Sequence, residues 1–370
     1  MSGGELFLGL ISGTSADAID VVLAEFEPST RILKTHTHPW PTELRARIVA
    51  LARSDARISL DELGQLDGLI ANEFAAAANA LLERAAVDRA QIRAIGNHGQ
   101  TVCHRPQSEP PFTMQLGDPA RIAEQTGIDV IADFRRADMA AGGQGAPLLP
   151  ILHQALFSDD EQIRVILNLG GIANISVLAP GQPVLGFDTG PANCLMDAWA
   201  ERHLGHAPDR DGAWARSGSV NETLLSRCLG DPYFALAAPK STGREYFNLD
   251  WLEPYLTDSL AAADVQATLL ALSVQSIADS ITSCAPKARA VVACGGGVHN
   301  AALMAALTAA VAPAQVQTTA DYGVDPDFLE AAAFAWLARQ RLLGLPGNLP
   351  SVTGASGPRV LGVIAAAPRN

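Results

Sequence analysis

Leu6-Phe-Leu-Gly-Leu-Ile-Ser-Gly-Thr-Ser-Ala-Asp-Ala-Ile-Asp-Val-Val-Leu-Ala-Glu-Phe26 is the stretch from which the fold can be read. Two apolar runs flank a small, polar, glycine-bearing turn, which is the pattern of a β-hairpin. The turn holds Gly13, Thr14, Ser15 and Asp17, with Asp20 just beyond. Small residues let backbone N–H groups approach an anion, and hydroxyls add donors. The aspartates suit a hydrated Mg²⁺ held against phosphate oxygens. The competing reading is an ordinary turn, which also prefers Gly, Ser and Asp. A P-loop is excluded, because no Gly-Lys-Ser/Thr string opens a helix.

Outward from the hairpin, Arg31–His38 reads as a third strand and Leu60–Ala86 as a long amphipathic helix. Ile92–Gly96 is a short strand whose end carries Asn97-His98-Gly99-Gln100-Thr101. Phe112–Leu116 (strand), Pro119–Thr126 (helix) and Asp129–Ala132 (strand) follow. Three strands and then alternating helix and strand describe a mixed α/β unit. The opening returns about 160 residues later as a pattern, without close identity. Ile163–Asn168 and Ile172–Leu178 flank Gly170-Gly171, and Val184–Phe187 is the third strand, ending at Asp188-Thr-Gly-Pro191. Two such units predict two similar domains with a glycine turn from each facing a cleft. The expected bounds are 1–130 plus 345–370 for the first and 131–344 for the second.

Composition narrows the classes. The chain has 370 residues, is 48% hydrophobic and 18% charged, and carries a net charge of −13, so it can bury a sizeable core. That acidity argues against general nucleic-acid or anionic-membrane binding. No apolar run reaches a membrane span, and Met-Ser-Gly-Gly-Glu5 lacks the basic start of a signal peptide. Five scattered cysteines, with no Cys-x-x-Cys, suit reduced cytoplasmic thiols rather than a disulfide frame or a zinc cluster.

Three glycine turns follow apolar strands: Gly13, Gly170-Gly171 and Gly295-Gly296-Gly297. Together they point to nucleotide binding, the first two for phosphates and the third, entering a helix, for base or ribose. Asp188 reads either as a cap of the following helix or as a general base at a cleft floor. The Asn97–Thr101 cluster gathers the hydrogen-bonding groups a sugar site needs. Asp133 and Arg135 are either a surface salt bridge or ligands for sugar hydroxyls and a substrate carboxylate. Glu330 stands in an alanine- and aromatic-rich helix, on its polar face or aimed at a ligand.

These same residues carry a family resemblance. Gly9-Leu-Ile-Ser-Gly-Thr-Ser-Ala-Asp-Ala-Ile-Asp20, Gly96-Asn-His-Gly-Gln-Thr101, Asp133-Phe-Arg135 and Gly142-Gly-Gln-Gly-Ala-Pro147 resemble the motifs of the anhydro-N-acetylmuramic acid kinases. So do Asn168-Leu-Gly-Gly171, Phe187-Asp-Thr-Gly-Pro191, Pro239-Lys-Ser-Thr-Gly-Arg-Glu245 and Cys294-Gly-Gly-Gly297. The resemblance implies two ribonuclease-H-like, actin-like ATPase domains with ATP in the interdomain cleft. It implies a cytoplasmic homodimer that uses ATP and Mg²⁺ on 1,6-anhydro-N-acetylmuramic acid in cell-wall recycling. The site residues it implies are Gly13, Thr14, Ser15, Ala16, Asp17, Ala18, Ile19, Asp20, Gly170, Gly171, Gly295, Gly296 and Gly297 for the nucleotide. His98, Gln100, Thr101, Asp133 and Arg135 would hold the sugar, Asp17 and Glu330 the metal, and Asp188 would be the catalytic base. Ala18 and Ala192 replace the usual glycines, where a methyl group would matter at a positive φ or facing a ligand. The alternatives are a sugar kinase acting on a plain hydroxyl and an ATPase of the actin or Hsp70 kind that drives a shape change. The latter should carry an extra polymer- or client-binding segment.

Overall fold

The computed structural model describes residues 5–27, 30–51 and 56–369. Residues 1–4, on which the reading of the N-terminus partly rests, lie outside them. The chain forms two compact units, Met1–Leu152 with Phe328–Asn370, and His153–Asp327. The bounds expected at 130/131 and 344/345 therefore move. The helix Leu329–Leu343 packs on the sheet of the first unit, and Asp138 bonds to Asn348 and Thr353 in the same unit.

The first unit opens with β1 (Leu6–Ser12), β2 (Ala18–Glu25) and β3 (Arg31–Pro39), an antiparallel meander. β4 (Ile92–Arg105) pairs parallel with β1 and antiparallel with β5 (Phe112–Leu116), and β6 (Val130–Ala132) pairs parallel with β4. In the second unit β7 (Arg164–Leu169), β8 (Ile172–Leu178) and β9 (Leu185–Pro191) form the second meander. β10 (Ala290–Cys294) pairs parallel with β7, and β11 (Gln315–Thr318) with β10. Back in the first unit, β12 (Val363–Ala365) runs antiparallel to β6. The sheet orders are β3-β2-β1-β4-β6-β12 and β9-β8-β7-β10-β11. In each unit the meander's first strand is central and pairs with the fourth strand in parallel. This is the ribonuclease-H-like strand order expected from the sequence.

The core of the first unit follows from the hairpin's composition. Phe7, Leu8, Leu10, Val21 and Val22 are all buried, so β1 and β2 are covered on both faces, as near-continuous apolar strands should be. On one face lies Leu60–Ala85, started by a capping box in which the Glu62 amide donates to Ser59 Oγ and the Ser59 amide to Glu62 Oε2, each at 3.2 Å. Against β1 and β4 lies Leu329–Leu343, rich in alanine. It approaches so closely that a Cβ on Gly9 would sit 2.7 Å from the Ala335 amide nitrogen, and one on Gly96 2.6 Å from the Phe334 carbonyl carbon. Both glycines are therefore packing requirements of the sheet. In the second unit Ala262–Cys284 and Asn193–Leu204 cover the sheet, joined by Trp199 Nε1 donating to the Ala262 carbonyl at 2.9 Å. Among the described residues no helix is long and apolar enough to cross a membrane.

Candidate active site

At the hairpin tip the Ala16 amide donates to the Gly13 carbonyl at 3.0 Å, and Ala16 takes a left-handed φ of 50°. Thr14 and Asp17 are exposed, and Ser15, Ala18 and Asp20 half-buried. Ala16 and Ile19 are fully buried in the core, so any ligand there meets only their backbone. Ala18 and Ala192 lack the positive φ that would demand glycine. Arg45, not singled out in the sequence, braces the tip: its Nε donates to the Ala16 carbonyl at 2.8 Å and its Nη2 to Asp17 Oδ1 at 2.9 Å. Asp20 accepts from Thr37 Oγ1 at 2.8 Å.

The Asn97–Thr101 cluster does not end a strand. β5 pairs with Gln100–Arg105 and carries β4 on to Arg105, so the cluster lies mid-strand, with Gly99 at φ 74°. Gln100 Nε2 donates to the Gly13 carbonyl at 3.1 Å, tying the cluster to the hairpin tip, while its buried Oε1 has no partner. Thr101 Oγ1 accepts from Gln115 Nε2 at 3.1 Å.

Arg135 is not part of a surface salt bridge; that role falls to Arg136, 3.5 Å from Asp133 Oδ2. Instead Arg135 donates to His98 Nε2 from Nε (3.1 Å) and Nη2 (2.8 Å), and from Nη1 to the Gly145 carbonyl at 2.7 Å. A guanidinium only donates, so Nε2 accepts and Nδ1 carries the proton, which it gives to the Gly99 carbonyl at 2.8 Å. Burial, and then the Arg135 charge, hold His98 well below the usual imidazole pKa, and burial brings Arg135 down to about 10. Asp133 has a left-handed φ of 58°, and its buried Oδ1 has no partner. Strain and an orphan carboxylate oxygen thus coincide at one residue. Beside it lies a cavity of about 240 Å³ whose walls include His98, Gln115, Asp133 and Arg136.

Glu330 lies on the first turn of its helix, open to solvent yet crowded enough by protein that its pKa is raised. Arg135 pulls that pKa down and Asp20 pushes it up. Among the described residues no three His, Cys, Asp or Glu side chains form a metal cage. Glu330 and Asp20 are near enough to repel each other, whereas Asp17 is paired with Arg45 on the exposed tip.

In the second unit Asp188 lies inside β9, which runs on to Pro191. The cap of Asn193–Leu204 is Ala192, with no side-chain bond, so Asp188 does not cap that helix. Its carboxylate Oδ2 accepts the Thr242 amide at 3.0 Å. Its backbone is fixed by Tyr233 Oη, donating to the Asp188 carbonyl at 2.6 Å, and by the Asp188 amide bonding the Lys240 carbonyl at 3.0 Å. Burial raises the carboxyl pKa to about 6; the Thr242 amide lowers it and Glu245 raises it. The loop from Lys240 to Glu245 thus holds the aspartate in place and tunes it.

The two remaining glycine turns adjoin. A Cβ on Gly297 would lie 2.6 Å from Leu169 Cβ, and Asn193 Nδ2 donates to the Leu169 and Gly170 carbonyls at 2.9 and 2.8 Å. The third turn enters a 3₁₀ segment, Gly296–His299, before the helix Ala301–Ala310. Gly296 is open and a Cβ on Gly170 would meet only ordinary contacts, whereas the space above Gly171 is filled by the Arg244 guanidinium. Gly296 borders a cavity of about 370 Å³ whose walls include Asn193, Asp197, Asp209, His299 and Asn300. Burial raises Asp197 to about 6 against the pull of Arg244. Of these residues only Gly296 was legible in the sequence.

Residues 5–367 match the family model for anhydro-N-acetylmuramic acid kinase. The chain is 52% identical over 364 residues to the anhydro-N-acetylmuramic acid kinase of Xanthomonas axonopodis pv. citri, covering 97% of each. It is 51% identical over 363 residues to the enzyme of that name from Pseudomonas paraeruginosa, covering 97% of this chain and 98% of that one. Among solved structures, a ROK hexokinase from Thermus thermophilus is 17% identical with a TM-score of 0.38, covering 90% of this chain and 99% of that one. A match over nearly the whole length, at half identity, decides the matter: the chain belongs to the anhydro-N-acetylmuramic acid kinase family.

Proposed function

We infer that the two units divide the work of one reaction. The chain is a sugar kinase that opens the anhydro bridge of 1,6-anhydro-N-acetylmuramic acid and phosphorylates O6, giving N-acetylmuramic acid 6-phosphate and ADP, in peptidoglycan recycling. Asp188 takes the proton from a water as its oxygen bonds to the anomeric carbon. The bond from that carbon to the bridge oxygen breaks, and the freed O6 attacks the γ-phosphorus of ATP. Arg135 and His98 bind the lactyl carboxylate side of the sugar. Asp133 and Gln100 take its hydroxyls with the oxygens now lacking partners. Thr101, on the same strand, adds a hydroxyl. The hairpin tip from Gly13 to Asp20 and the Gly170-Gly171 turn receive phosphates, and Gly295–Gly297 the nucleoside. Glu330, with Asp17 and Asp20, would hold Mg²⁺, which when bound offsets phosphate charge.

The observation that carries this reading is Asp188, held by Thr242 and raised to about 6. A base of that strength is ionised at neutral pH yet still pulls on a proton. Five free cysteines fit a cytoplasmic enzyme, and the family resemblance supports a homodimer. The test is mass spectrometry of the product made in ¹⁸O-labelled water. Label at the anomeric hydroxyl with phosphate at O6 is expected. Unlabelled product would refute hydrolysis coupled to transfer.

A further inference from the structure

The loop that holds Asp188 also carries a cation to which the reaction above gives no role. Arg244 follows Thr242, the residue whose amide binds Asp188 Oδ2, by two positions. Its guanidinium lies against Gly171 of the turn: a Cβ on Gly171 would be 2.7 Å from Nη2 and 2.9 Å from Cζ. The space a side chain at position 171 would take is where the arginine head lies. The side chain is exposed, and among the described residues it makes no hydrogen bond and no ion pair. Its charge reaches the Asp197 carboxyl and the Cys194 thiol, lowering both pKa values against burial.

An arginine carries five N–H donors in a rigid fork shaped for phosphate or carboxylate. Here that fork is seated on a glycine turn by close packing, with its donors unused. We propose that Arg244 is a catalytic residue, donating to the phosphate oxygens of the nucleotide seated on the Gly170-Gly171 turn. This rests on the reading that ATP phosphates lie at that turn. In the transfer, the bond from the γ-phosphorus to the oxygen it shares with the β-phosphate breaks as the O6–phosphorus bond forms. The electron pair goes to the departing ADP oxygen, and no proton moves in that step. Arg244 supplies N–H donors where this charge grows, as other arginines do in phosphoryl transfer. One loop therefore brings the base for water and the cation for the leaving group together.

The test compares Arg244→Gln and Arg244→Lys with the parent enzyme and with Asp188→Asn. Arg244→Gln is expected to lower kcat about a hundredfold or more. Calorimetry should show weaker ATP binding but unchanged adenosine binding, and the KM for the sugar should shift by less than about threefold. Arg244→Lys should recover only part of the loss, because an ammonium cannot reproduce the fork. A packing role alone predicts equal losses for ATP and adenosine, and that result would overturn the proposal. So would Arg244→Gln with normal kcat and ATP affinity while Asp188→Asn is inactive. If instead Asp188→Asn is active and Arg244→Gln loses ATP affinity, the base assignment fails and the role of Arg244 stands.

Discussion

Replacing Asp188 with asparagine should give a protein that is nearly inactive and, above pH 6, more stable than its parent. The side chain keeps its shape, and its oxygen still accepts the Thr242 amide. What it loses is a carboxyl whose pKa is raised to about 6, chiefly by burial, with Glu245 adding repulsion. In an unfolded chain that group titrates near 3.9. Between these values the native state binds more protons than the unfolded state, so the group's contribution to stability falls as pH rises and levels off above about 6. Two pKa units correspond to about 2–3 kcal/mol lost in the parent at neutral pH. Asparagine, which does not ionise, should restore up to that amount at pH 8 and about half of it at pH 5.

Thermal unfolding at both pH values reads the first effect as a Tm gain of several degrees at pH 8 that shrinks at pH 5. Steady-state kinetics read the second. kcat should drop by about a hundredfold or more, the usual worth of a general base. In the parent, kcat/KM should climb about tenfold per pH unit below 6 and then flatten. A variant that loses activity and stability together would show that Asp188 is mainly structural. A variant with near-normal kcat would show that water needs no base there.

Other outcomes follow from the same geometry. Arg135→Ala removes two hydrogen bonds to His98 and one to the Gly145 carbonyl, so the KM for the anhydro sugar should rise about ten- to a hundredfold. The KM for ATP should hardly change, and a rise confined to ATP would move Arg135 to the nucleotide side. Asp17→Asn weakens an exposed pair with Arg45; urea unfolding should shift by about 1 kcal/mol or less, while ATP turnover falls sharply if Asp17 serves the metal and phosphates. Gly9→Ala and Gly64→Ala should move the urea midpoint in opposite directions. The first drives a methyl group into the Leu329–Leu343 backbone and should cost about 1–3 kcal/mol or more. The second adds a methyl to a helix interior with nothing within 4 Å and should gain about 0.5–1 kcal/mol.

The parts of the fold that were legible in the sequence are those where one local signal dominates. The opening hairpin is two apolar runs around a glycine turn, and it folds as read because both strands are buried centrally. The second meander repeats the pattern, and its turn at Gly170-Gly171 falls where expected. The misreadings have a common cause, which is pairing between distant segments. Asn97–Thr101 looked like a strand end because polar residues and Gly99 interrupt the apolar run, yet β5 supplies the partner that extends it. Leu329–Leu343 falls in the second unit by the bounds expected from the sequence. Its small residues match Gly9 and Gly96 on the first sheet, a complementarity that no local window contains.

The same distinction separates the site residues that were found from those that were missed. Glycine turns and aspartates at strand edges announce themselves by type and position. What tunes them lies far off in the chain. Thr242 sits 54 residues from Asp188, and Arg45 sits 28 residues from Asp17. His98 and Arg135, 37 residues apart, are both expected on the sugar, but nothing in the sequence says that one fixes the tautomer of the other. Gly171 is the sharpest instance. A glycine after a strand reads as room for a phosphate, and in the fold that room holds the Arg244 guanidinium. The glycine still serves an anion site on this reading, by letting a cation lie against the turn rather than by baring amides alone. A residue's type can thus point to the right chemistry while the physical route to it depends on a neighbour that only the fold supplies.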